Sequence, residues 1–337
     1  MRRWGDLMGS VKDLLILRHP DEKPGLGRFV FSDRYSVFDY GEMPDKIEGK
    51  GSALCMVSAY FFEKLEEEGL RTHYIGLVED GKVKRFDEVS VAVNEMEIRL
   101  VRVVRPDCGY SIFKTLKGNF LIPLEIIYRN SIPEGSSLLR RIEKGEIRPE
   151  DFGLSKIEAG MRLEKPIIDF STKLEDVDRY LSHAEAREIS GLTEDEFETL
   201  KEIAIKVDEI ITREVARAGL TNEDGKIEVA LDDERNLMVI DAVGTPDECR
   251  FSMGGFEVSK ELLRKYYRKT EWYERLKELK GKAGWRNEVG KPPSLPEEVR
   301  KGISNLYKAF CNEVTGKRFF DVPKLKEVVS NLKEVLE

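Results

Sequence analysis

Apolar positions follow two rhythms along the chain. Between residues 11 and 104 they come mostly in short β-branched runs, VKDLLIL, RFVFSD, VSVAV and IRLVRVV, separated by turn residues, which predicts an antiparallel sheet. One helix interrupts these runs: Leu54, Val57, Phe61 and Leu65 recur at helical spacing, and Gly69 stops it after the acidic stretch 66–68. After KTLKGN at 114–119 the run FLIPLEIIY opens a second region, so a hinge is expected there. Helical spacing is clearest over 193–218. Thr193 and Glu196 form a capping box, and Phe197, Leu200, Ala204, Val207, Ile211 and Val215 trace one face to Gly219. KIEVAL, the polar turn DDERN and LMVID then read as a β-hairpin. Residues 257–280 are expected to be helical and GKAGWRNEVGKPP to be a loop. Two helices close the chain, the first opened by Ser294 and Glu297, the last with an apolar stripe of Val328, Leu332 and Val335.

A length of 337 residues allows two or three domains. Apolar residues at 40% and charged residues at 36% exclude a disordered chain and suit a Lys/Glu-rich surface. A net charge of -8 lacks the basic footprint of a nucleic-acid binder, while small anionic ligands stay open because a site can be basic within an acidic shell. Cys55, Cys108, Cys249 and Cys311 are far apart, with no C-x-x-C pair and no nearby histidine, and read as reduced thiols rather than a zinc site. The N-terminus has no signal-type apolar run, and nowhere do 18 apolar residues run together, so no membrane association and a cytoplasmic location are expected. His19, His73 and His183 have no partners that suggest a Ser-His-Asp triad.

Candidate chemistry is strongest in the hairpin, where Glu228 lies on the first strand and Asp241 ends the second. With the turn centred near Glu234 and Arg235 the two fall opposite one another, Cβ atoms roughly 5 Å apart. Their repulsion invites a divalent cation carrying nucleotide phosphates, since Mg²⁺ is held by one or two carboxylates plus phosphate and water. A solvated hairpin with both acids in water is the alternative. Arg129 ends an apolar strand and enters a loop with Gly135, Ser136 and Ser137, a set suited to phosphate or carboxylate, or else an ordinary connection. GSVK at 9–12 brings Lys12 into a predicted strand without matching a P-loop. DRYSVFD at 33–39 and GKG at 49–51, before the first helix, read as anion-binding elements or as turn chemistry with a surface ion pair.

Taken in order, these segments resemble the SAICAR synthetase family. GSVKD at 9–13 is similar to its first strand, DRYSVFD to its DRxSxFD signature and IEGKG at 47–51 to its PGKG turn. The helix SALCMVSAYFFEKL, the strand PLEIIYRN with the GS at 135–136, and STKLEDVDRYLS follow in the family's order. KIEVAL and VIDAVGTPDECRF are similar to its paired metal-binding strands and its DExxTPDxxRF signature. The resemblance covers about residues 9–270. It departs at Glu48, where the family has proline, at Val177, where it has histidine, and at Ala242, where it has glutamate.

The resemblance implies an α+β, ATP-grasp-like fold in two domains with a helical extension: 1–118 covering ATP, 119–270 binding substrate and metal, and 271–337. It implies an ATP- and Mg²⁺-dependent ligase that activates the carboxylate of carboxyaminoimidazole ribonucleotide as an acyl phosphate, which the amine of L-aspartate attacks. Lys12 matches the phosphate-contacting lysine, Glu228 and Asp241 the metal and nucleotide ligands, and Leu121 the hinge against adenine. Arg129, Ser136 and Arg250 match substrate phosphate and carboxylate contacts, Asp178 and Lys50 lie where the family meets substrate, and Asp39 closes the DRxSxFD signature. The tail helices suit packing on the body or on a second copy in a homo-oligomer. A small-molecule kinase would use the same lysine and acids, but no H-R-D loop supplies its base. A nucleotide-binding protein without catalysis would bind ATP and not turn it over.

Overall fold

The computed structural model describes residues 7–8, 11–107, 109–134, 136–175, 177–282 and 284–336. Gly9, Ser10, Cys108, Gly135, Asp176 and Ala283 of the segments above lie outside them. The first lobe holds β1 (Leu7–Met8), β2 (Lys12–Arg18), β3 (Gly25–Phe31), α1 (Lys50–Glu67), β4 (Tyr74–Glu79), β5 (Lys82–Lys84) and β6 (Glu95–Leu100). Its six strands form an antiparallel sheet in the order β1-β2-β3-β6-β4-β5. The antiparallel sheet and its helix follow the sequence reading, with two corrections. The hairpin β4–β5 went unrecognised, and VSVAV at 89–93 is not a strand. Glu79 explains the second: its buried carboxylate accepts from Ser90 N (2.8 Å) and Val91 N (3.2 Å), taking donors that a strand would give to a neighbour.

Asp33, from the DRYSVFD segment, accepts from Gly49 N (3.1 Å) and Gly51 N (2.9 Å) and so caps α1. Gly49 precedes that helix at φ 75, a conformation strained for a residue with a Cβ.

The second lobe contains β7 (Phe120–Leu121), β8 (Leu124–Ile132), α2 (Ser137–Glu143), β9 (Met161–Thr172), β10 (Tyr180–Leu181), α3 (His183–Ser190), α4 (Glu194–Ala216), β11 (Thr221–Leu231), β12 (Leu237–Ile240), β13 (Cys249–Met253) and β14 (Phe256–Glu257). Strands run β10-β9-β8-β11-β13-β14, and the far half of β11 pairs with β12 and β7. The capping box at Thr193 and Glu196 forms as expected. The α4 residues Phe197, Leu200, Ala204, Val207, Ile211 and Val215 are all buried, and each large side chain among them contributes roughly 1.5–3 kcal/mol. The lobes join through backbone bonds from His73 N to Val239 O (3.1 Å) and from Leu121 N to Arg102 O (2.9 Å).

Four helices follow α5 (Glu261–Tyr267): α6 (Glu271–Leu279), α7 (Trp285–Val289), α8 (Glu297–Thr315) and α9 (Leu325–Leu336). The expected helix over 257–280 is thus two, because the Thr270 hydroxyl caps a new start by accepting from Tyr273 N. The expected loop at 281–293 contains α7, bracketed by Gly284 and Gly290. The Ser294–Glu297 box does not form; α8 starts after Pro296 with no side-chain cap. Val335 is 40% exposed, so the buried stripe of α9 is Leu325, Val328, Val329 and Leu332. The apolar core runs from α1 through α4 into α8 and α9.

Candidate active site

Strand alternation builds one charged sheet face. Along β11 the side chains of Asp224, Lys226 and Glu228 share a face, while Gly225, Ile227 and Val229 face the other way. Arg129 pairs with Asp224 and Ile127 with Lys226 across β8, which puts Glu125 and Arg129 on that same face. Arg250 of β13 pairs with Asp224 from the other side. Two cavities open on this face.

The first, about 400 Å³, has Lys12, Lys173, Lys226, Glu228 and Asp241 in its wall. Glu228 pairs with Ile240, so Glu228 and Asp241 are not opposite one another as expected. The turn register differs by one residue, and Asp241 leaves the strand at φ 70. The two carboxylates still feel each other. Burial and Asp241 push the Glu228 carboxyl up. Asp241 is held well below the usual range: burial opposes its charge, but Lys12, Lys173 and Lys226 outweigh it. Lys12 Nζ is 2.6 Å from Asp241 Oδ1 and 4.7 Å from the centre of the Phe29 ring. Lys173 Nζ is 2.5 Å from Glu228 Oε1, yet among the described residues no donor meets that buried oxygen in hydrogen-bond geometry. Lys226 bridges Glu125 (3.0 Å) and Glu248 (2.9 Å).

Glu228 and Asp241 fit a hard cation in one respect and limit it in another. They put two carboxylates on one cavity wall, but Lys12, Lys173 and Lys226 already balance their charge. Among the described residues no group of three or more His, Cys, Asp or Glu could hold a metal ion alone. A cation here must draw most of its ligands from phosphate and water, which is how Mg²⁺ binds.

The second cavity, about 610 Å³, is walled by Arg129, Arg250, Asp224, Asp247 and Lys260, with α6 contributing Tyr273, Leu276 and Lys277. Asp224 holds both arginines: Arg250 Nε at 2.8 Å, with a second Arg250 nitrogen on the other oxygen, and Arg129 Nη1 at 3.5 Å. Arg129 also reaches Asp169 (3.1 Å) and the Ser137 hydroxyl (3.0 Å). Ser136 is fully buried and caps α2 by accepting from Leu138 N, so Ser137 is the serine that meets Arg129. Asp178 stands at the rim, its carboxyl pushed up to about 6 by burial and by Glu125. Asp39 lines both cavities with φ 59 and pairs with Lys280 at 2.7 Å. Lys50 lies behind the wall, fully buried, with Nζ 2.8 Å from Asp247 Oδ2. Leu121 is buried in a small apolar cluster with Ala230, Met238 and Ile240, beside the Glu228 end of β11. A larger cavity of about 730 Å³ between α5 and the C-terminal helices holds none of these residues.

Sequence reasoning missed Glu125, Lys173, Asp224, Lys226, Asp247 and Lys260. Lys226 and Asp224 carried a readable signal, since charged residues at every second position of a buried strand must share a face with Glu228. Lys260 lines both cavities, and burial lowers its pKa. Nothing local in VSKELL marks it.

A sequence profile of the SAICAR synthetase family matches residues 8–279. A protein of Archaeoglobus fulgidus with the provisional name of phosphoribosylaminoimidazole-succinocarboxamide synthase is 80% identical over 98% of this chain and 100% of its own. Among solved structures, a SAICAR synthase of Saccharomyces cerevisiae complexed with SAICAR covers 94% of this chain and 95% of its own, at TM-score 0.66 and 22% identity. A SAICAR synthetase in complex with ADP covers 86% and 100%, at TM-score 0.57 and 24% identity. The two structural likenesses concern the fold, which is α+β. The profile match and the Archaeoglobus fulgidus relative define an ATP-dependent carbon–nitrogen ligase. The chain belongs to the SAICAR synthetase family, whose reaction joins carboxyaminoimidazole ribonucleotide to L-aspartate in de novo purine biosynthesis.

Proposed function

We propose that the two cavities divide this reaction: ATP phosphates bind at Lys12, Lys173 and Lys226, and the ribonucleotide and aspartate bind in the arginine-lined cavity. One observation carries the reading. The charged face of β11 runs unbroken from Glu228 through Lys226 to Asp224, so a phosphoryl group held at one end faces a carboxylate held at the other. The overall arrangement is read as ATP-grasp-like, with domains at 1–118, 119–270 and 271–337. Leu121 and its apolar cluster are assigned to the adenine ring. Glu228 and Asp241 would hold Mg²⁺, which when bound supplies charge neutralisation between phosphate oxygens.

Arg250, with Arg129 behind it, presents fixed guanidinium donors to the ribonucleotide's phosphate or carboxylate. Ser136 fixes the turn that brings Ser137 to Arg129, and Lys50 supports the wall through Asp247. Asp39 and Asp178 contact substrate at the mouth. The substrate carboxylate oxygen attacks the terminal phosphorus of ATP; the bond to the bridging oxygen breaks, leaving ADP and an acyl phosphate. The aspartate amine then attacks the acyl carbon, and phosphate leaves with the electron pair of the C–O bond and takes up the proton that the amine gives up. Positioning and charge neutralisation suffice for both steps, and no covalent nucleophile of the protein is needed.

The test is ADP release by the purified protein with ATP, Mg²⁺ and carboxyaminoimidazole ribonucleotide, with and without aspartate, alongside mass detection of product. Equal, aspartate-dependent amounts of ADP and succinocarboxamide are expected. ADP formed without aspartate and with a stable phosphorylated product would turn the reading toward a kinase.

A further inference from the structure

Asp247 is a buried carboxylate on the wall of the arginine-lined cavity. Its side chain is 3% exposed and forms part of the cavity wall beside Arg250 and Lys260. Three groups face it from three elements. Lys50, from the start of α1, places Nζ 2.8 Å from Oδ2. Lys260, just before α5, adds positive charge. Tyr307, from the middle of α8, donates its hydroxyl to Oδ1 at 2.6 Å. The first two lie within the span that the family profile matches. Tyr307 lies in the tail beyond residue 279.

We infer that Tyr307 is a positioning residue: the C-terminal extension completes the substrate cavity by fixing Asp247 through the Tyr307 hydroxyl. Two features separate this from simple packing. A tyrosine kept for its ring alone gains nothing from a hydroxyl at a buried position, whereas this hydroxyl meets a carboxylate that borders substrate. Lys50 holds only one oxygen of Asp247, so without Tyr307 the other loses its donor and the carboxylate can swing about the Lys50 contact. The helix that carries Tyr307 is firmly seated. Val299, Ile303, Leu306 and Phe310 are buried, the Phe310 ring lies 5.1 Å from that of Phe251 next to Arg250, and the Ser304 hydroxyl donates to Glu48 O at 2.6 Å. That last bond ties the tail to the 47–49 turn.

The inference rests on reading this cavity as the substrate site, and the experiment keeps the two apart. Tyr307→Phe, Asp247→Asn and the double variant are made in the full chain, with kcat/KM measured for carboxyaminoimidazole ribonucleotide, aspartate and ATP. Tyr307→Phe keeps the buried ring, so its thermal unfolding is expected to stay within a few degrees of wild type. Its kcat/KM for the ribonucleotide or aspartate should fall about tenfold or more, while the KM for ATP changes less than about twofold. Because Tyr307 acts through Asp247, the double variant should be no worse than Asp247→Asn alone. Full kcat/KM in Tyr307→Phe, or the same loss on the Asp247→Asn background, overturns the inference. Activity unchanged in Asp247→Asn as well would overturn the reading of the cavity.

Discussion

Replacing Asp241 with asparagine keeps the shape of the side chain and removes its charge. Lys12 and Asp241 are 2.6 Å apart with side chains 15% and 23% exposed, between a surface pair and a buried one. Breaking such a contact is expected to lower stability by about 2 kcal/mol, between the small value of exposed pairs and the 3–5 kcal/mol of buried ones. A 337-residue chain should stay folded at that loss. The effect on turnover should be larger, because one fixed charge acting on transferring phosphate is worth about 3 kcal/mol, or roughly a hundredfold in kcat. Burial and Asp241 together push the Glu228 carboxyl up, so the substitution relieves Glu228 of its neighbour's charge but still leaves the cation one carboxylate in place of two. Initial rates of ADP release, measured against Mg²⁺ concentration with other substrates saturating, separate the two effects. The expected outcome is a fall in kcat of about two orders of magnitude, with half-saturation moved to higher Mg²⁺ and a far-UV spectrum like that of wild type. Near wild-type kcat with an unchanged Mg²⁺ dependence would refute the metal assignment.

Arg250→Ala should raise the KM for the ribonucleotide about tenfold or more with little change in the KM for ATP, because its guanidinium lines only the second cavity; steady-state kinetics with each substrate varied would show it. Asp208, buried on α4, accepts from Asn130 Nδ2 (2.6 Å) and Asn222 Nδ2 (2.9 Å), and burial pushes its carboxyl up to about 6 from 3.8. A raised acid pKa means the folded state binds more protons, so stability falls as pH rises through about 4 to 6 and the full cost, about 3 kcal/mol at most, applies above that. In Asp208→Asn the amide oxygen would still accept both bonds without that charge. Urea unfolding should therefore show Asp208→Asn gaining on wild type between pH 4 and pH 8, and parallel curves would contradict this.

Several elements were legible because their signals are local. The Thr193–Glu196 box, the apolar face of α4 and the β11–β12 hairpin each lie within a short window of sequence, and all three form. Where a distant side chain intervened, local reading failed. The β-branched run 89–93 gives its donors to Glu79. The helix over 257–280 breaks for a local reason instead, the Thr270 hydroxyl capping a new start.

By itself, the order of motifs from Lys12 to Arg250 determined the family of this chain and most of the residues proposed to meet ATP and substrate, since residue identity needs no coordinates. Only the tertiary structure decided how those residues are grouped. Register decided that Glu228 faces Ile240 and that Asp241 reaches Lys12 by leaving its strand. Long-range packing decided that Lys173, Lys226 and Lys260 gather between the lobes, and that Tyr307 of the tail meets Asp247. The physical reason is range: helix and hairpin propensities are set by neighbours a few residues apart, whereas charges converge on a site from segments hundreds of residues apart, placed only once apolar surfaces have packed.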